Sequence, residues 1–149
     1  MERIYIGIDP GKEGAIAVLW PNGAKTLNVF DEIQYRNILD AVQAEKMDSI
    51  CCLEKVSAMP GQGVTSMFNF GDNFGFARGL LTACHIPYEL VRPQKWKKEY
   101  SLSHDKKESI AACKRLFPDV SLRRTERCKT DHDGMAEALL MAEYARRKL

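Results

Sequence analysis

Residues 4 to 14 read Ile4-Tyr5-Ile6-Gly7-Ile8-Asp9-Pro10-Gly11-Lys12-Glu13-Gly14, a short apolar run that ends in a carboxylate and passes at once into glycines. The run has the composition of a strand, and Asp9 stands at its C-terminal end. A carboxylate there is costly to desolvate unless a cation compensates it, and Gly11 and Gly14 clear side chains from the backbone around it. A hard metal ion or a phosphate fits such a place. Asp-Pro-Gly is also ordinary turn chemistry, so the rest of the chain must decide.

Ala15 to Trp20 is a second strand-like run, and Pro21-Asn22-Gly23 is a hairpin turn leading to Lys25 to Phe30. The three runs predict an antiparallel meander. Ile33, Ile38, Leu39 and Val42 recur near helical spacing and predict an amphipathic crossover helix over about 34–45. Ser49-Ile50-Cys51-Cys52-Leu53-Glu54 is almost wholly apolar, as a central strand covered on both faces would be, and is expected to pair parallel to the first. It too ends in an acid. In open sheets with crossover helices, ligands bind at the carboxyl ends of adjacent parallel strands, so Asp9 and Glu54 are expected to face one point. Val56 to Val64, with Pro60, Gly61 and Gly63, reads as a flexible loop beside that point.

From Thr65 to about Cys84 the chain carries Met67, Phe68, Phe70, Phe74, Phe76, Leu80 and Leu81, interrupted by Gly71, Gly75 and Gly79. A helix would align these glycines on one face, leaving that face able to approach the sheet or a second subunit closely. Tyr88 to Val91 is a further strand, ended by Arg92-Pro93. A basic connection follows, in which Arg92, Lys95, Lys97 and Lys98 flank Trp96, with Lys106 and Lys107 beyond a Ser-Leu-Ser-His loop. Cations interleaved with an indole suit phosphate contacts and stacking on a base, although a charge run is also the ordinary dress of a solvated face. Residues 106–117 form a helix capped by Ser103 or Asp105, stopped by Pro118, with Arg123, Arg124, Arg127 and Lys129 in the loop after it.

The last helix begins near Asp131-His132-Asp133, with Asp131 or Asp133 at its cap. Asp133 and Glu137 are four apart and share a helix face, where like charges repel unless a cation lies between them. Ala136, Ala138 and Ala142 let the helix lie close to the sheet, bringing that face towards Asp9 and Glu54. His132 reads as a loop histidine.

Composition narrows the setting. At 149 residues the chain is one domain by length, 1–149. No apolar run approaches a membrane span and no signal peptide precedes the first strand, so an intracellular, soluble protein with no membrane partner is expected. The five cysteines have no paired ligand spacing, and their odd number argues against a disulfide framework. Lys and Arg number 22 against 20 Asp and Glu, so the uneven distribution of charge says more than the sum.

Ile6-Gly7-Ile8-Asp9-Pro10-Gly11, Leu53-Glu54-Lys55-Val56, Gly75-Phe76-Ala77-Arg78-Gly79, the lysines around Trp96 and at 106–107, and Ala136-Glu137-Ala138-Leu139-Leu140-Met141-Ala142 together resemble the RuvC family of Holliday-junction resolvases. That family lies within the ribonuclease H-like superfamily, and the match runs along nearly the whole chain, closest to the short phage-encoded branch. The resemblance implies an α/β fold with a mixed five-stranded sheet and helices on both faces. It implies Asp9, Glu54 and Glu137 as metal ligands and Asp133 as the third acid, with Asp131 and His132 as alternatives. It also implies a catalytic basic residue at Lys107 or Lys106, a DNA-binding set of Lys95, Trp96, Lys97, Lys106, Lys107 and Phe68, and a junction-entering loop after Glu54. The activity it implies is cleavage of four-way and other branched DNA with two Mg²⁺ ions, Mn²⁺ substituting, by a homodimer whose two-fold axis matches that of the junction. Two other readings stand beside it. One is a catalytically silent junction-binding protein. The other is a fragment of an actin-like ATPase, whose phosphate loop Asp-Pro-Gly-Lys-x-Gly also resembles.

Overall fold

In the computed structural model, which describes residues 2–57 and 60–149, strand β1 (Ile4–Asp9) buries Ile4, Ile6 and Ile8 on one face and turns Tyr5, Gly7 and Asp9 to the other. It is the centre of a five-stranded sheet of order β3-β2-β1-β4-β5. β2 (Ala15–Leu19) and β3 (Lys25–Val29) complete the antiparallel meander. β4 (Ser49–Glu54) pairs parallel with β1, and β5 (Tyr88–Val91) parallel with β4. The apolar runs and the turn at Pro21-Asn22-Gly23 thus place all five strands, and the sheet is the expected mixed one.

Helices α1 (Glu32–Ala44) and α2 (Val64–Ala83) cover the isoleucine face through Tyr35, Leu39, Val42, Ala77 and Leu81. Asp31 caps α1, its carboxylate accepting the Gln34 N–H at 2.9 Å. The buried stripe therefore begins at Tyr35, and Ile33, expected inward, is 61% exposed. Of the loop expected before α2, positions 58 and 59 lie outside the described residues; Gly61 turns the chain with φ 81.

The opposite face carries α3 (Pro93–Glu99), α4 (Lys106–Leu116) and α5 (Asp133–Lys148). α5 is buried from Gly134 to Ala145. Gly7 makes this possible, since a Cβ there would lie 2.1 Å from the Ala138 carbonyl oxygen and 2.4 Å from the Ala142 nitrogen. Helix backbone therefore rests directly on the central strand.

The basic connection after β5 holds a helix of its own, α3, that the sequence reading does not name. Pro93 starts this seven-residue helix, as proline in a first turn does. It closes in a Schellman turn with Ser101 at φ 56, Leu102 N–H donating to the Lys97 carbonyl at 3.0 Å. Tyr100 donates to the Leu140 carbonyl at 2.6 Å and Arg147 pairs with Glu99 at 3.2 Å, which fixes α3 against α5. Asp105 caps α4 through the Lys107 N–H. Four cysteines are buried, Cys128 is partly exposed, and all five are free. Among the described residues no helix is long and apolar enough to cross a membrane.

Candidate active site

Ile8 pairs with Leu53 across the parallel register, so the next residues, Asp9 and Glu54, leave the carboxyl edge of the sheet side by side. Strand alternation turns both towards the α5 layer. Asp133 and Glu137 come to the same place from the first turns of α5. Gly134 permits it: a Cβ there would lie 2.2 Å from the Glu13 carbonyl oxygen, so the loop after Asp9 rests on the start of the helix.

His132 caps this helix, a role sequence preference gave to an aspartate. Its Nδ1 accepts the Met135 N–H at 3.1 Å, and its Nε2 lies 3.8 Å from a Glu13 carboxylate oxygen. Asp131 turns to Lys114 on α4 at 2.5 Å. With both alternatives committed elsewhere, Asp133 is the acid that the fold brings to Glu137.

The four carboxylates disfavour one another's ionisation. Burial holds the Asp9 carboxyl well above its ordinary range, the charges of Glu54 and Glu137 push it further, and Asp133 adds to them. The Gly11 N–H, donating to Asp9 Oδ1 at 3.1 Å, works the other way. Glu54 is pushed up to about 7, first by burial, with the Trp96 hydrogen bond opposing, Glu137 adding and Lys97 opposing. Glu137 is raised by burial against the pull of Lys97 and Lys106.

Two lysines enter the cluster. Lys97 Nζ lies 3.5 Å from Glu137 Oε2, an oxygen that the buried Ser109 hydroxyl also approaches at 3.4 Å. Lys106 Nζ lies 3.0 Å from Asp133 Oδ2, and this contact raises the lysine's own pKa. Lys107, the basic residue first expected here, is exposed; its backbone serves the α4 cap and its side chain has no partner among the described residues. Of the two lysines that the resemblance offers, Lys106 is the one that reaches an acid of the cluster.

Trp96 overturns the expectation that it stacks on a base. Its side chain is 0% exposed, and its Nε1–H donates to Glu54 Oε2 at 2.9 Å. It holds an acid of the cluster. Lys95 is exposed as expected, and Phe68 is 73% exposed near the start of α2. Phe70 instead lies against Gly11, its ring 3.6 Å from where a Cβ would stand. Ser109 was not foreseen, although a polar residue on the stripe that buries Ala112 and Cys113 is the signal that could have found it.

This oxygen-only, partly buried donor set, with two lysines against four acids, fits a hard divalent cation such as Mg²⁺. Among the described residues no three such side chains are already gathered as an ion would need; Glu137 and Asp133 are held by lysines instead. Loading would therefore require an exchange of partners.

No protein-family model and no curated protein matches the sequence. Solved structures do match. Thermus thermophilus RuvC in complex with a Holliday-junction substrate superimposes with a TM-score of 0.62 at 14% identity, over 97% of this chain and 96% of that one. A second T. thermophilus RuvC structure gives 0.57 at 17%, with the same coverage of each chain. The yeast mitochondrial Holliday-junction resolvase Ydc2 gives 0.53 at 15%, over 95% of this chain and 77% of that one. Along nearly its whole length, the chain has the fold of the RuvC-type Holliday-junction resolvases.

Proposed function

We propose that the protein is a nuclease that cuts branched DNA, with the four-way junction as its substrate, through divalent-metal hydrolysis of a phosphodiester. The observation that carries this reading is the convergence of Asp9, Glu54, Asp133 and Glu137, raised in pKa by burial and by one another, on the fold of junction resolvases. A merely structural set of four acids would have no reason to be gathered with so little positive charge. A silent junction-binding protein would have no need of all four.

Asp9, Glu54, Glu137 and Asp133 would hold two Mg²⁺ ions, with Asp9 central because all three other acids act on it. The chemistry such ions supply is activation of a water and stabilisation of the departing 3′ oxygen. The chain's own groups do the rest. Trp96 fixes Glu54 by its indole hydrogen bond, and Ser109 steadies Glu137. Lys97 and Lys106, once released from their acids, are placed to take the phosphate's negative charge, and Lys95 and Lys98 extend that surface along α3.

The test is incubation of the protein with a synthetic four-way junction and Mg²⁺, read on a denaturing gel. Wild type should give incisions near the branch point. Asp9→Asn should lower cutting by orders of magnitude while still retarding the junction in a binding gel. Cutting by Asp9→Asn at the wild-type rate, or no metal-dependent cutting by wild type, would overturn the reading.

A further inference from the structure

A cavity of about 420 Å³ opens between α3 and the turn that leads to α4. It lies one side chain away from the acids, because Lys97 belongs to both: it lines the cavity, and its ammonium stands 3.5 Å from Glu137. The Schellman turn folds Ser101 and Leu102 back over the end of α3, and Pro93 and Leu102 supply apolar surface.

The polar groups of the cavity are unequal. The Ser103 hydroxyl is spent on Glu108. The Gln94 carboxamide and the His104 imidazole also line the cavity, and neither side chain has a hydrogen-bond partner among the described residues. Lys98 adds a second ammonium. Apolar walls, an unspent amide that can donate and accept at once, and cations at the edge together suit a planar base attached to an anionic backbone.

We propose that this cavity receives the nucleotide next to the cleaved phosphate, and that Gln94 reads its base with a preference for adenine. The inference rests on the nuclease reading above. A phosphate drawn to the Lys97 ammonium beside Glu137 leaves the adjoining nucleotide within reach of the cavity that Lys97 also lines. A carboxamide matches the adjacent donor and acceptor of adenine, whereas a carboxylate in its place would accept from the amino group of cytosine. Gln94 thus becomes a specificity-determining residue, one helix turn before Lys97.

The experiment uses four-way junctions randomised around the branch point, cut in Mg²⁺ by wild type, Gln94→Ala and Gln94→Glu, with the products sequenced. Wild type should enrich adenine at one position beside the cut. Gln94→Ala should reduce that enrichment by roughly fivefold or more, and Gln94→Glu should move it towards cytosine. The same pool selected by binding alone, in an Asp9→Asn background, should show the same shifts without any cutting. Gln94 is exposed, so the variants should melt as wild type does. A wild type that cuts junctions without a base preference there, or variants that keep the wild-type profile in both selections, would overturn the inference and leave the nuclease reading standing. A wild type that cuts no branched DNA would remove both.

Discussion

The indole of Trp96, fully out of solvent, donates to Glu54 across 2.9 Å, so the ring set between the lysines faces an acid and not the solvent. A hydrogen bond to a charged acceptor contributes about 1.5–3 kcal/mol, and here it favours the ionised form of a carboxyl that burial pushes up to about 7. Trp96→Phe keeps most of the packing and removes the donor. The Glu54 pKa should then rise further, and the acid limb of the pH–rate profile for junction cutting should move up by ~1 unit. A profile that overlays that of wild type would show that the bond does not tune Glu54.

Metal-free protein should become less stable as pH rises. In the folded chain burial pushes Glu54 up to about 7 from an ordinary 4.5, and Asp9 and Glu137 are shifted in the same direction. The folded state therefore binds more protons than the unfolded one across that interval. The stabilisation from these groups is complete below about 4.5 and is lost as pH climbs through 7. Calorimetry in chelator should show Tm falling by several degrees across that window, and Mg²⁺ should restore it at the upper end. Asp9→Asn should raise Tm in chelator and blunt the response to Mg²⁺. A metal-free Tm that climbs across the window would contradict the assignment of an uncompensated acid cluster.

Asp133 and Asp131 offer a sharper test of the cluster than either alone. Asp133 faces Lys106 and shares the α5 face of Glu137, whereas Asp131 is paired with Lys114. Asp133→Asn should cost orders of magnitude in cutting. Asp131→Asn should cost only the small free energy of a part-exposed ion pair, ~0–1 kcal/mol, and leave cutting near wild type. Measured single-turnover rates in the reverse order would move the third acid to Asp131.

Much of this architecture is legible in the residues themselves, and the exceptions share a cause. β1 and β4 announce themselves as apolar runs ending in acids, and their parallel pairing follows from the helix between them. Asp133 and Glu137 are legible through their spacing of four. α3 is not, because six of its seven residues are polar, charged or proline and a single Trp96 gives no periodicity. An indole between lysines reads as a nucleic-acid surface because composition cannot show which way a side chain points; the packing of α3 on α5 turns it inward. His132 is not legible as a cap because capping preferences favour Asp and Asn, whereas here a ring nitrogen accepts the bond. The choice of Lys106 over Lys107 depends on the phase of α4, which its Asp105 cap sets.

Gly71, Gly75 and Gly79 stand on successive turns of α2, and among the described residues a Cβ at any of them would meet nothing within 4 Å. Glycine inside a helix costs about 1 kcal/mol relative to alanine, and the folded chain offers no close approach that would repay three of them. At the start of the same helix Val64 is 79% and Phe68 73% exposed. We therefore propose α2 as the surface through which two copies pair about a two-fold axis, the arrangement that would set two acid clusters against the two strands of a junction to be cut. The openness of the glycine face makes the test clean, because a Cβ at Gly75 meets no described residue of its own chain and Gly75→Leu favours the helix. Wild type should sediment as a dimer at micromolar concentration. Gly75→Leu should sediment as a folded monomer that melts no lower, binds junctions weakly and leaves single nicks in place of paired incisions. A wild type that is monomeric both free and on DNA would rule out the pairing. A Gly75→Leu variant that stays dimeric would move the interface off this face of α2.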